Sequence, residues 1–197
     1  RGAALDIINS TISGNATGYG YRAGNGAGIY QQSGNLKLDS STISFNRMGS
    51  SSYISSRDSC SDVPLAYGGG GVFAYYGTAK LKNTIIAKNT VEIAGCGTDG
   101  RKVNATVTSE GYNIIGIEWW SINSDATDVI GTYANPVDPG LVSLTDNGGG
   151  TDTHALVLDS PAVDAGECID SDGNPILVDQ RGSDRNDGSC DIGAYER

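Results

Sequence analysis

The residues of this chain that could do chemistry are few and scattered. The only histidine, His154, stands in the run Thr153-His154-Ala155-Leu156. A general base needs a nucleophile beside it, and no Gly-x-Ser-x-Gly stretch accompanies His154, which therefore reads as a hydrogen-bonded structural residue. Asp58 and Asp62, with Arg57, form the best local carboxylate cluster. Glycosidases use two acids at a set separation, but this cluster lies in a serine-rich, charged stretch that reads as a solvated loop. Asp170, Asp172 and Asn174 place oxygen side chains at i, i+2 and i+4, with Asp179 as a fourth. That spacing is a weak calcium candidate, because the glycine and bidentate glutamate of an EF-hand loop are missing and Asp-Gly-Asn-Pro is an ordinary turn. Trp119 and Trp120 are adjacent, so on a strand they face opposite sides and one ring is left for stacking on a sugar. No catalytic residue is assigned, and no cofactor beyond the calcium candidate.

Composition narrows the partners. A formal charge of −10 repels phosphate backbones, which argues against nucleic acid, and disfavours polyanionic sugars unless a metal bridges the charges. Four cysteines without a Cys-x-x-Cys pair, beside one histidine, give little support to zinc or iron–sulfur binding. They read as two disulfides, hence an oxidising compartment. No run approaches the ~18 apolar residues of a membrane span. The chain opens Arg-Gly-Ala, which reads as a processed piece of a longer precursor. Glycine is 29 of 197 residues while 38% are hydrophobic, the mixture of tight turns and short buried segments rather than of disorder.

The elements that must position these residues follow from a repeat. Leu5-Asp6-Ile7, Leu36-Lys37-Leu38 and Ala79-Lys80-Leu81 each precede a Thr/Ile-Ile segment that ends at Asn15, Asn46 and Asn89. Leu5 to Leu36 and Asn15 to Asn46 both span 31 residues, whereas Leu36 to Ala79, Asn46 to Asn89 and Gly28 to Gly71 all span 43. The excess of 12 falls between Asn46 and Gly71, an inserted loop at about 48–66. Period-two alternation points Leu5, Ile7, Leu36, Leu38, Ala79 and Leu81 inward, with Ile12, Ile43 and Ile86 as a second column and Ile29 and Val72 as a third. Such units bury their apolar faces only by stacking, which predicts an all-β, three-sided right-handed parallel β-helix. Asn15, Asn46 and Asn89 are expected to form an amide ladder at a turn. Asn9, Asn15 and Asn104 head Asn-x-Thr sequons, Asn15 being expected inward and unavailable. The column Thr11, Thr42 gives way to Ile85, so a threonine ice-binding array breaks off.

Spacing also suggests the cysteine pairs. Cys60 and Cys96 leave the same corner on successive coils, where strands lie ~4.8 Å apart, and Cys168 and Cys190 bracket the Asp179-Gln180-Arg181-Gly182 turn. The expected pairs are Cys60–Cys96 and Cys168–Cys190.

The stretches Asn9–Asn15, Gly26–Ile29 and Asn83–Ala87 resemble the repeat of bacterial surface β-helix proteins. Ser109–Gly116, Asn135–Leu141, Asp146–Gly149, Thr153–Leu156, Ser160–Gly166, Asp179–Gly182 and Cys190–Glu196 resemble their closing module, choice-of-anchor Q. The resemblance covers nearly the whole chain. It implies exported β-helix proteins that differ in how they attach to the cell, with no defined enzymatic activity; the last matching stretch ends at Glu196, one residue before Arg197.

The domain division is then β-helix coils over 1–116 and an irregular, β-rich closing module over 117–197 packed on them. The expected function is that of a non-enzymatic extracellular structural or adhesive protein, secreted or at the cell surface. Leu5 lies four residues from Arg1, with no room for a capping helix, so the expected partner is a further copy stacked end to end into a filament or surface layer, or another surface protein. The alternative is a carbohydrate-binding or polysaccharide-degrading β-helix, with glycans as partners.

Overall fold

A computed structural model describes residues 3–18, 26–49, 69–92, 99–118, 122–185 and 188–197, without the side chain of Val103. Arg57, Asp58, Cys60, Asp62, Cys96, Trp119 and Trp120 lie outside the described residues, and with them the Cys60–Cys96 pair.

The described residues are all-β, with every strand pairing parallel. The first sheet orders β1 (Ala4–Ile8), β4 (Asn35–Asp39), β7 (Val72–Lys82) and β10 (Gly100–Ser109), with β3 (Ile29–Gln31) along the start of β7. The second orders β2 (Thr11–Ser13), β5 (Thr42–Ser44), β8 (Ile85–Ala87), β11 (Ile114–Ile115) and β12 (Val129–Ile130). A third, of two strands, pairs β6 (Arg47–Met48) with β9 (Thr90–Val91).

The register is that of the sequence repeat. Leu5 pairs with Leu36 and Leu36 with Ala79, while Ile12, Ile43, Ile86 and Ile115 form one file across the second sheet. A one-residue slip would turn each of these side chains out of the core, so the apolar alternation itself holds the register. Leu38, Ile43, Val72, Leu81, Ile86, Val107 and Ile115 are wholly buried in a single cluster shared by the first two sheets. Each such side chain contributes about 1.5–3 kcal/mol by leaving water.

Two details differ from the sequence expectation. Leu5, placed inward, is 53% exposed, because β1 is an edge strand among the described residues and covers its file from one side only. Parallel pairing also continues past residue 116, where the closing module was expected to start, since β12 lies on β11.

Gly71 shows why glycine recurs in the repeat. A Cβ there would stand 2.5 Å from the Asp99 carbonyl oxygen and 2.7 Å from Asn89 Nδ2, so the backbone passes with no space for a side chain.

Candidate functional site

Among the described residues, polar side chains gather at the corners between strands, on the outer face of the second sheet and within the C-terminal region.

At the corner after the second sheet, Gly14, Phe45 and Lys88 have φ of 70°, 56° and 60°, a left-handed step that turns the chain. Each is followed by Asn15, Asn46 or Asn89. Asn15 Nδ2 donates to Asn46 Oδ1 at 2.9 Å, and Asn46 Nδ2 donates to Asn89 Oδ1 at 2.9 Å. The backbone N–H of Asn15 and of Asn46 donates to the same two oxygens, each at 3.0 Å. A file of amides handing hydrogen bonds in one direction ends on a group that accepts. That group is Asp99, whose Oδ1 accepts from Asn89 N at 2.8 Å and Asn89 Nδ2 at 3.0 Å, and whose Oδ2 accepts from Ile117 N at 2.7 Å. Burial pushes the Asp99 carboxyl up to about 6, against these hydrogen bonds.

The corner before the second sheet repeats the device. Asn113 Oδ1 accepts from Thr84 N at 3.0 Å, Asn113 Nδ2 donates to Asp128 Oδ1 at 3.0 Å, and Asp128 Oδ1 also accepts from Asn113 N. Sequence reasoning missed Asp99, Asn113 and Asp128, since none shares the spacing of the asparagines. Asking which acceptor ends an amide file was the available signal. Asn15, expected to be inward, is exposed, because among the described residues it is the last rung of the file.

The outer face of the second sheet carries Thr11, Ser13, Thr42, Ile85, Ala87 and Ile114, and the C-terminal region covers it. Ile85, Ala87 and Ile114 share a buried cluster with Leu156, Ala162 and Ile192. Thr11 Oγ1 donates to Gln180 Oε1 at 2.6 Å, and the Ala194 N–H donates to Thr42 Oγ1 at 3.1 Å. At Gly193, φ is 104° and a Cβ would meet Thr42 Oγ1 at 2.8 Å and Ile85 Cδ1 at 2.9 Å, so only glycine lets the two surfaces approach. The Thr11–Thr42 column is thus a covered seam.

Within the C-terminal region the polar contacts are singular. Arg185, almost wholly buried, donates to Glu196 Oε2 at 2.6 Å, Asp191 O at 3.0 Å and Gly193 O at 2.6 Å. Burial lowers its pKa from the usual guanidinium value, opposed by the nearby carboxylates of Glu196, Asp179 and Asp191. Cys168 and Cys190 are joined in a disulfide with Cα atoms 5.4 Å apart.

The calcium candidates Asp170, Asp172, Asn174 and Asp179 make contacts within the protein. Asp170 Oδ1 accepts from Asp172 N and Asn174 N at 2.9 and 2.8 Å, and Asn174 Nδ2 donates to Asp170 Oδ2 at 3.0 Å, closing a turn. Asp172 pairs with Lys37. Asp179 accepts from Arg181 Nε at 2.8 Å and from the backbone of Arg181, Ser183 and Glu196. Among the described residues no group of three or more His, Cys, Asp or Glu side chains is placed to hold a metal ion.

His154 lies in the same seam, with a partner at each ring nitrogen. Nδ1 is 2.7 Å from the Val142 carbonyl oxygen, which can only accept, so Nδ1 carries the proton. Nε2 is then the acceptor for the Ser13 hydroxyl at 2.8 Å. Burial lowers the histidine pKa, which favours the neutral ring. Ser13 and His154 are 141 positions apart in the chain, and no local motif joins them.

Compared with protein-family models, curated proteins and solved structures, the chain matches none. No helix among the described residues is long and apolar enough to cross a membrane.

Proposed function

We propose that this chain is a three-sided, right-handed parallel β-helix closed along one side by its C-terminal module, and that it works outside the cell as a structural or adhesive protein. The observation that carries the reading is the pairing of equivalent residues one repeat apart in two parallel sheets, with Asn15, Asn46 and Asn89 in file at the corner. Right-handedness is supported by the general rule for parallel crossovers. The Cys168–Cys190 disulfide supports an oxidising, extracellular setting, as on bacterial surface proteins of the choice-of-anchor Q kind.

End-to-end stacking of copies is part of this proposal. On β1, an edge strand among the described residues, Leu5 is 53% exposed, and it lines a pocket of about 230 Å³ together with Ile29, Tyr30 and Leu36. A parallel strand from a second copy would cover that file and satisfy the open edge. Mass in solution measured across concentration, with electron microscopy alongside, tests this. Growing linear assemblies are the expected result, and a monomer at high micromolar concentration overturns the stacking. Reproducible cleavage of any glycan in a depolymerisation screen would replace this reading with the polysaccharide-degrading one.

A further inference from the structure

The seam holds a pairing that stacking does not require. Ser13 ends β2, on the outward side of the strand, while Ile12 beside it packs against the core. The left-handed turn at Gly14 follows at once and leaves open space beside the serine, with nothing within 4 Å of where a Cβ would be. From the C-terminal region, His154 is fixed by two contacts besides the serine. Its Nδ1–H is held by the Val142 carbonyl at 2.7 Å, and its ring lies against Phe45 with centroids 5.0 Å apart. The Nε2 lone pair therefore faces the Ser13 hydroxyl in a set orientation, at 2.8 Å. A serine, a base within hydrogen-bond reach and a third group that orients the base are the parts of an activated nucleophile.

The pair opens into a pocket of about 270 Å³ lined by Ser13, Gly14, Phe45, Ser143, Leu144 and His154. The lining has no Asp, Glu, Lys or Arg side chain, which fits an uncharged ligand. Phe45 and Leu144 supply an apolar wall, and the volume lies just under the usual range for small-molecule sites, which suits a short apolar group. Ser143 adds a hydroxyl donor within the same walls.

We propose that Ser13 and His154 are a nucleophile and its general base, acting in this pocket on uncharged esters of short apolar acyl groups. Ser13 Oγ bonds to the acyl carbon as the ester C–O bond breaks. The serine proton passes to His154 Nε2 and on to the leaving alkoxide, which departs as the alcohol. Water, giving its proton to the same Nε2, then attacks the acyl-serine; the acid leaves and Ser13 regains a proton. The seam lies outside the stacked core, so this activity is compatible with a structural role and independent of it.

The test treats the full chain with a short-alkyl fluorophosphonate and maps the adduct by peptide mass spectrometry, alongside hydrolysis of p-nitrophenyl butyrate. The expected result is an adduct on Ser13 and ester turnover that Ser13→Ala abolishes. His154→Asn can keep the hydrogen bond to Val142 O but offers no base at Nε2. It is expected to slow labelling about 100-fold or more, with circular dichroism and melting confirming that it folds. The proposal is overturned if Ser13 stays unmodified, if His154→Asn labels at the wild-type rate, or if Ser13→Ala hydrolyses the ester as the wild type does. Failure here leaves the stacking of copies untouched, because assembly is read separately by mass.

Discussion

The stacked strands and the C-terminal region satisfy their buried polar groups in opposite ways. Along the stack, Asn46 is met by its own equivalents one repeat to either side, Asn15 and Asn89. In the C-terminal region Arg185 is met by Glu196, Asp191 and Gly193, each a contact made once. A repeated contact distributes its stabilisation over many rungs, whereas a singular network concentrates it. Equal numbers of hydrogen bonds therefore do not mean equal tolerance of mutation.

The largest effect is expected at Arg185→Ala, which leaves Glu196 buried without its cation and frees the Asp191 and Gly193 carbonyls. Breaking one side of a buried pair costs about 3–5 kcal/mol. Urea unfolding should show that loss, and a change below about 1 kcal/mol would mean that water replaces the guanidinium. Next comes the Cys168→Ser, Cys190→Ser double variant. It opens a loop with a sequence separation of 22 and should lose about 3 kcal/mol, seen as a lower denaturation midpoint without reductant. If both changes leave the midpoint alone, the C-terminal region is not where stability is concentrated.

What was legible in the sequence follows the same division. The pairing of Leu5 with Leu36, and of Leu36 with Ala79, follows from the recurring motif, because a repeat fixes neighbours without any knowledge of the long-range fold. The Asn15, Asn46, Asn89 file was visible for the same reason. Asp99 was not, since a terminating rung must differ chemically from the rungs it ends, and it lies only 10 positions after Asn89. The Ser13–His154 contact was invisible because it joins a repeat to an irregular segment, where no periodicity says which residues meet. The i, i+2, i+4 spacing of Asp170, Asp172 and Asn174 was legible as a pattern, and the turn it forms gives two of its own backbone amides to Asp170 Oδ1.

The third prediction concerns the end of the amide file. The folded-state pKa of Asp99 is raised to about 6, above its ordinary value of 3.8, so the folded state holds this proton more tightly than the unfolded chain. Its contribution is therefore fully present below about pH 4 and lost as pH rises through about 6. At ~1.4 kcal/mol per unit the span is up to about 3 kcal/mol. Other carboxylates titrate nearby, so the measurement is the difference between wild type and Asp99→Asn. That difference should shrink from pH 4 to pH 6; growth with pH would show that the hydrogen bonds from Asn89 and Ile117 outweigh burial.

The smallest effects separate rungs of one ladder. Asn46 is wholly buried; its Oδ1 accepts from Asn15 N and Nδ2, and its Nδ2 donates to Ile12 O and Asn89 Oδ1. Asn46→Ala removes the donor to the buried Asn89 Oδ1 and to Ile12 O and the acceptor for Asn15, and groups stranded on the buried side cost about 1–3 kcal/mol. Asn15 is exposed, and its side chain donates to Asn46 and, weakly at 3.4 Å, to Ser13 O. In Asn15→Ala water can take those places, so the expected loss is about 0.5 kcal/mol or less. The ratio carries the argument, because both substitutions remove the same amide from the same kind of turn. Equal losses from the two variants would mean that Asn15 is covered in the working protein, as stacking of a second copy on that end would make it. Repeating the pair of measurements at low and high protein concentration distinguishes the cases: the Asn15→Ala loss should rise toward that of Asn46→Ala only where assembly buries the outer rung.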